Sequence, residues 1–135
     1  MAFVWTKDLE TGNALIDNEH RQLVKAADEL VEACGQGKGR QEVGKAVEFL
    51  SNYTKTHFAH EEELQLKYKY PDYAAHKSWH QSFLKEFEDV AAKLKAEGAT
   101  IALVADVNAK VSKLITHIKT LDLKLAQYIQ SSQSK

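Results

Sequence analysis

The most informative stretch of the sequence is His57-Phe58-Ala59-His60-Glu61, and it is followed by His76-Lys77-Ser78-Trp79-His80. The first stretch places a histidine and a glutamate four residues apart, and the second places two histidines four residues apart. Positions i and i+4 lie on the same face of an α-helix. Each stretch therefore predicts a helix that turns a pair of potential metal ligands towards the interior of the protein.

Apolar residues recur at steps of three and four along four segments, two of which include these stretches, and this is the period of an amphipathic α-helix. The first segment has Asp17 as its predicted N-cap. The second spans about residues 41–67 and the third about residues 72–96. The fourth begins after Thr100, a further predicted N-cap, and continues to about residue 130. Four such helices joined by short loops predict an all-α fold, an up-down-up-down four-helix bundle.

The chain is predicted to form one domain over residues 1–135, because this length suffices for one hydrophobic core. Residues 1–16 lack a helical period and are predicted to form an N-terminal arm. The bundle itself is predicted over about residues 17–130. The glycine-rich segment 35–39 and Pro71 are predicted to separate consecutive helices.

Composition excludes several classes of function. The net charge is −1, so we expect neither a nucleic-acid partner nor an anionic membrane surface. No apolar run reaches the 18 or more residues of a membrane span, and the N-terminus lacks the pattern of a signal peptide. Cys34 is the single cysteine, which fits a reducing compartment. We therefore expect a cytoplasmic protein, and we expect it to be a monomer.

Seven side chains, five imidazoles and two carboxylates, lie at a similar position along the axis of the predicted bundle. At about 1.5 Å per residue, all seven lie within roughly 20 Å of the end that carries the 68–71 turn. They are His20, His57, Glu61, His76, His80, His117 and Asp122. The sequence therefore predicts one buried metal site. His60 is offset from the line of His57 and Glu61, and both His60 and Glu62 are predicted to be solvated.

The last pair in this set does not follow simple helical spacing. His117 and Asp122 are five residues apart, so an ideal α-helix would separate them by about 140°. Either the site spans the width of the fourth helix, or a π-bulge realigns the two side chains. The spacing alone leaves both alternatives open.

Five imidazoles and two carboxylates are too many ligands for one tetrahedral zinc ion. They suit two octahedral ions that share the carboxylates and a solvent-derived bridging atom. Imidazole with carboxylate favours iron, manganese or zinc over calcium, and the lack of thiolate ligands argues against an iron–sulfur cluster or blue copper. Carboxylate-rich bundle sites host oxygen-activating enzymes. A histidine-rich set favours reversible O2 binding over cleavage of the O–O bond.

The combined motif resembles the hemerythrin family, in particular the single-domain bacterial hemerythrins. The resemblance rests on His20, on the pairs His57/Glu61, His76/His80 and His117/Asp122, and on Trp5, Asp17 and Tyr70-Pro71. It covers nearly the whole chain. Gln65 and Lys69 depart from it, because they stand where relatives often carry Met and Gly.

The resemblance implies a non-haem di-iron site that binds O2 reversibly, without enzymatic activity, for oxygen transport, storage or delivery to an O2-consuming enzyme. One iron would be held by His76, His80 and His117. The other would be held by His20 and His57 and would keep a position open for O2. Glu61 and Asp122 would bridge the irons, together with an oxo or hydroxo group.

Other functions remain open from the sequence. The same metal site could belong to a di-iron enzyme, such as a peroxidase, an oxidase or a nitric-oxide-handling protein, or to an O2 sensor. A metal-free helical interaction module is a third possibility. For the oxygen-binding reading, Phe58, Leu114 and Ile118 are the residues expected to wall a dry O2 pocket, and Cys34 is expected to fill the core.

Overall fold

The structure is a computed structural model that describes residues 3–36 and 39–133, and within them it contains α-helices and no strand. A short 3-10 helix spans Lys7–Leu9. Five α-helices follow, α1 (Ala14–Gly35), α2 (Arg40–Lys67), α3 (Tyr73–Glu97), α4 (Ile101–His117) and α5 (Leu123–Gln133). A π-helical turn, Ile118–Asp122, joins α4 to α5, so that the two form one continuous fourth rod. The parts of the predicted arm and glycine-rich loop at residues 1–2 and 37–38 lie outside the described residues.

Each of the four rods packs against two neighbours in the order expected for an up-down-up-down connection. Helix α2 contacts α1 and α3, and α4 also contacts α1 and α3. The prediction of an all-α four-helix bundle is confirmed. None of the described helices is long and apolar enough to cross a membrane.

The N-terminus of α1 differs from the prediction. Asn13, not Asp17, is the N-cap, and its side-chain oxygen accepts the backbone N–H of Ile16 at 3.0 Å. Asp17 lies inside the helix, where its carboxylate accepts Thr11 N–H at 2.8 Å, the Thr11 hydroxyl at 2.7 Å and Gly12 N–H at 3.2 Å. Gly12 has φ +90°, a conformation that suits glycine. Asp17 therefore stabilises the turn that precedes α1.

The predicted cap of the fourth rod is confirmed, because the Thr100 hydroxyl accepts Leu103 N–H at 3.2 Å. The end of α2 has the hydrogen-bond pattern of a Schellman motif. Tyr70 N–H donates to Gln65 O at 2.8 Å, and Lys69 N–H donates to Leu66 O at 3.2 Å. Lys69 occupies the left-handed position of this motif, with φ 54°, where glycine is usual.

The described residues form two apolar clusters in the interior. The larger one fills most of the bundle and includes Leu23, Phe58 and Leu114. The smaller one closes the end near the α2–α3 turn and contains Ile16, Tyr70, Leu125, Ala126 and Ile129. The histidines and carboxylates singled out from the sequence lie between these clusters along each rod. On α1, for example, His20 stands between Ile16 and Leu23. Apolar side chains therefore shield this polar layer at both ends.

Candidate metal centre

All seven predicted ligand side chains meet in the polar layer. One comes from α1 and two each come from α2, α3 and the fourth rod, and none is more than 3 % exposed. They are His20, His57, Glu61, His76, His80, His117 and Asp122. Helical spacing explains how α2 and α3 contribute, since both pairs are at i and i+4 and therefore share a face.

The π-helical turn explains how the fourth rod contributes two of the candidate ligands. Its residues Ile118–Asp122 follow His117 directly. A π-turn accommodates one more residue than an α-turn, so residues five apart come to the same face. Of the two alternatives that the spacing left open, the structure has the π-bulge. Asp122 Oδ1 lies 2.9 Å from His117 Nε2 as a result.

The ligand atoms fall into two sets. The three-histidine set contains the Nε2 atoms of His76, His80 and His117 with Glu61 Oε1 and Asp122 Oδ1. Within it, His80 Nε2 lies 3.3 Å from Glu61 Oε1, and His76 Nε2 lies 3.0 Å from Asp122 Oδ1. A ligating atom from each of these five residues lies within 4.8 Å of the others.

The two-histidine set contains the Nε2 atoms of His20 and His57 with the remaining carboxylate oxygens. His20 Nε2 lies 2.9 Å from Asp122 Oδ2, and His57 Nε2 lies 3.2 Å from Glu61 Oε2. These four residues also bring ligating atoms within 4.8 Å of one another. Glu61 and Asp122 thus each direct one oxygen to one set and the second oxygen to the other, which is the arrangement of two bridging carboxylates.

Many of these atoms have no properly aligned hydrogen bond, although they are fully buried. The ligating atoms concerned are the Nε2 atoms of His20, His57 and His80, both carboxylate oxygens of Glu61, and Asp122 Oδ2; the Nδ1 atoms of His20 and His117, which lie outside the two sets, also have none. Burying unpaired polar atoms costs free energy, and cations placed among them would satisfy the nitrogen lone pairs and the carboxylates together. The residues present therefore fit a pair of metal ions of the kind that nitrogen and oxygen ligands prefer.

Electrostatics in the metal-free protein lead to the same conclusion. Burial works against ionisation of Glu61 and Asp122, but the surrounding imidazoles outweigh it and hold the pKa of both carboxyl groups below its usual range. Burial likewise opposes protonation of His57, yet Glu61 and Glu19 raise the pKa of His57 to about 10. Protons therefore balance the buried negative charge in the absence of metal, and metal ions would displace them.

Aromatic rings hold two of the imidazoles in place. Phe58 stacks on His80 and Trp79 stacks on His117, each with ring centroids 3.7 Å apart. Phe58 also lies 6.0 Å from His57. Phe58, Leu114 and Ile118, the residues expected to wall an O2 pocket, are all buried in the larger apolar cluster next to this layer.

A family model described as the hemerythrin HHE cation binding domain matches residues 11–129. This chain belongs to the hemerythrin family. Among curated proteins, it is 31% identical over 133 residues to a bacteriohemerythrin of Pseudomonas aeruginosa strain LESB58. The alignment covers 98% of this chain and 84% of the relative.

Two further hemerythrin relatives give the same assignment. A bacteriohemerythrin of Stenotrophomonas maltophilia strain R551-3 is 31% identical, covering 95% of this chain and 82% of the relative. A myohemerythrin of Sipunculus nudus is 25% identical, covering 90% and 89%. The cation-binding description of the hemerythrin domain agrees with the donor atoms that the fold brings together.

This hemerythrin also has two carboxylates beside the metal layer that sequence reasoning missed. Glu19 Oε1 accepts His57 Nδ1–H at 2.7 Å, and Glu19 Oε2 accepts His60 Nδ1–H at 2.7 Å. Glu62 Oε2 lies 3.1 Å from His80 Nδ1. Both glutamates are adjacent in sequence to a predicted ligand, so their positions were available as a signal. His60 is exposed as predicted, but Glu62 is only 22% exposed and has this buried partner.

Gln65 is a further buried polar residue of this hemerythrin near the layer. It stands one helical turn after Glu61 on α2 and is fully buried. Neither its amide nitrogen nor its amide oxygen has a hydrogen-bond partner among the described residues. A thioether would avoid this cost at the same size.

Proposed function

We propose that this chain binds O2 reversibly at a di-iron centre and serves in oxygen transport, storage or delivery. The observation that supports this most strongly is the sharing of Glu61 and Asp122 between the two donor sets. Two carboxylates that each span both sets suit a pair of adjacent ions rather than one ion. A reduced iron pair, when bound, supplies the redox chemistry that lets O2 bind and leave.

The two sets would hold the irons unequally. His76, His80 and His117, with one oxygen from each carboxylate, offer five protein donors to one iron. His20 and His57, with the other two oxygens, offer four donors to the second iron. An oxo or hydroxo group would complete the bridge between them. The iron with fewer protein ligands would therefore keep the position at which O2 is proposed to bind.

Phe58, Leu114 and Ile118 are proposed to exclude water from that position. All three are buried in the larger apolar cluster, and a dry surrounding slows the entry of water and protons. Replacing Ile118 by Glu is therefore expected to accelerate oxidation of the O2-binding ferrous form to the ferric form, measured as the decay of the visible spectrum. An unchanged decay rate would remove Ile118 from the proposed pocket.

Burial of the cluster favours binding of a small molecule over turnover of a larger one. The seven side chains are 0–3 % exposed, so a bulky substrate has no access without rearrangement. We propose that the chain acts as a single domain and as a cytoplasmic monomer, and that it is not an enzyme. An O2-consuming enzyme is the partner we propose for the released O2.

Metal stoichiometry with O2 uptake tests this proposal. The metal-free protein titrated anaerobically with ferrous iron is expected to take up two irons per chain and then one O2 per iron pair, released again under argon. Asp122→Asn is expected to reduce iron uptake, whereas Glu63→Gln, an exposed neighbour on α2, is not. Uptake of one iron per chain would contradict the proposal. Sustained turnover of peroxide or nitric oxide would favour the enzymatic alternative.

A further inference from the structure

Glu19 occupies a position between the metal layer and the solvent. It lies on α1, directly before His20, and its side chain is 15% exposed. One of its carboxylate oxygens is 2.7 Å from His57 Nδ1, and the other is 2.7 Å from His60 Nδ1. Both oxygens of one carboxylate are therefore engaged by imidazoles of α2.

The contact with His57 has a consequence for the other ring nitrogen. A carboxylate only accepts hydrogen bonds, so the proton must lie on His57 Nδ1. When the ring is neutral, its lone pair is then on Nε2, which faces the two-histidine set at 3.2 Å from Glu61 Oε2. Metal-ligating histidines commonly donate their second ring N–H to a carboxylate in this way.

His60 holds the same carboxylate from the outer side. Its side chain is 46% exposed, and it stands one turn after His57 on α2. Its hydrogen bond to Glu19 Oε2 leaves the carboxylate bound at both oxygens, which restricts the rotation of the Glu19 side chain. The corresponding carboxylate of the three-histidine set, Glu62, contacts His80 Nδ1 through one oxygen at the longer distance of 3.1 Å.

We propose that Glu19 is a positioning residue that fixes His57 in the tautomer presenting Nε2 to the metal, and that His60 holds Glu19 in place. This role rests on the proposed metal site but not on O2 binding. The two-histidine set offers fewer protein donors, so the orientation of each of its imidazoles matters more. His57 has this carboxylate support at Nδ1, whereas His20 Nδ1 has no hydrogen-bond partner among the described residues.

Zinc binding tests the role without any oxygen chemistry. Competition with a chelator is expected to show about 10–100-fold weaker zinc binding for Glu19→Ala. Glu19→Gln keeps an acceptor without the charge and is expected to fall between Glu19→Ala and the unaltered protein. His60→Ala is expected to cause a smaller loss. Glu63→Gln, an exposed carboxylate that lines the same surface groove as Glu19 and His60, is the matched control and is expected to bind normally.

A spectroscopic readout separates positioning from a general loss of structure. In the zinc-loaded, ¹⁵N-labelled protein, the His57 Nδ1–H resonance is expected far downfield, to move upfield in Glu19→Gln and to disappear by exchange in Glu19→Ala. Circular dichroism of the metal-free variants checks that the bundle still forms. Normal zinc affinity and an unchanged His57 resonance in Glu19→Ala would overturn the positioning role while leaving the di-iron proposal intact. Failure of the unaltered protein to bind zinc at these residues would overturn the positioning role, whereas the iron titration decides the di-iron proposal separately.

Discussion

At the scale of single residues, Gln65 is the clearest conflict between burial and polarity outside the candidate metal ligands. Its amide is fully buried and unpaired among the described residues. Gln65→Met keeps the length of the side chain and removes the unpaired amide, so we expect it to stabilise the metal-free protein by about 1–3 kcal/mol. Urea denaturation of the metal-free protein measures this. Gln81→Met, at an exposed position of α3, is the control and is expected to change little. A loss of stability in Gln65→Met would show that a water or another group satisfies the amide.

Lys69 is a second unfavourable position, because its backbone adopts a conformation that residues with a side chain rarely adopt. Its left-handed φ of 54° costs an L-residue about 1–2 kcal/mol, and this exceeds the extra chain entropy that glycine loses on folding. Lys69→Gly is therefore expected to stabilise the bundle by about 0.5–1 kcal/mol, seen as a higher melting temperature. Lys67→Gly, within the last turn of α2, should destabilise by a similar amount. Destabilisation by both variants would argue against a strained Lys69.

The residues around the layer differ in how far the sequence could single them out. The seven candidate ligands, which the structure brings together, could be selected because each has a chemical type that a core otherwise avoids, at a spacing that mostly gives one face. Glu19 and Glu62 were missed because glutamate beside a ligand is also an ordinary surface residue. Asp17 was assigned to the wrong turn for a similar reason. Asn13 is equally good as an N-cap, and the choice depends on how the preceding segment folds back to give Asp17 its partners.

At the scale of elements, the π-turn of the fourth rod is the feature that helical spacing in the sequence left undecided. An α-helix and a π-bulge are compatible with the same sequence, and tertiary packing selects between them. The packing requires His117 and Asp122 to face inward and also requires Leu125 and Ile129 to reach the smaller apolar cluster. One extra residue within Ile118–Asp122 meets both conditions.

Deleting Thr120 tests this account of the bulge. Thr120 is exposed and lies within the π-turn, so its removal would leave a regular α-helix with His117 and Asp122 four residues apart. We expect the metal-free stability to change by no more than about 1 kcal/mol. Deleting Ser112, an exposed residue of the regular helix α4, would instead rotate one half of the rod by about 100° relative to the other. That variant is expected to lose about 4 kcal/mol or more in chemical denaturation. An equal loss of stability in the two deletion variants would contradict the description of the turn as a one-residue insertion.

At the scale of the whole molecule, a polar layer lies between two apolar clusters. The stability of the fold therefore depends on whether protons or metal ions balance the charge of the carboxylates in this layer. In the metal-free protein the raised pKa of His57, about 10, means that its protonation stabilises the fold fully below about pH 6.5. This contribution is lost as the pH rises towards 10. The raised pKa of His20 acts in the same direction, and the lowered pKa of His117 reduces the net effect. The carboxylates Glu61 and Asp122, with lowered pKa values, stabilise the fold above about pH 4.5 and cease to do so in acid.

We therefore expect the metal-free protein to be most stable between about pH 4.5 and 6.5 and less stable at pH 9–10. The metal-loaded protein should behave differently, because metal replaces the protons on the imidazoles and is displaced by acid. Its melting temperature is expected to exceed that of the metal-free protein most strongly above pH 7 and to approach it near pH 4. Thermal unfolding across this range, with and without metal, provides the comparison. A metal-free melting temperature that is constant from pH 6 to 10 would contradict the assigned protonation of the layer.

The bundle and its single polar layer were predictable from the sequence because helical period and ligand spacing point to the same faces. The assignment of individual oxygens to the two donor sets was not predictable, since it depends on the side-chain rotations of Glu61 and Asp122 in three dimensions. This assignment is also what connects the fold to a pair of metal ions.

The most direct test of reversible O2 binding is the visible spectrum of the iron-loaded, reduced protein under argon, then in air, and again after argon purging. We predict a ligand-to-iron charge-transfer band that appears in air and disappears on purging, over repeated cycles. Irreversible oxidation in air, without a band that purging removes, would contradict the proposed function and favour a di-iron enzyme.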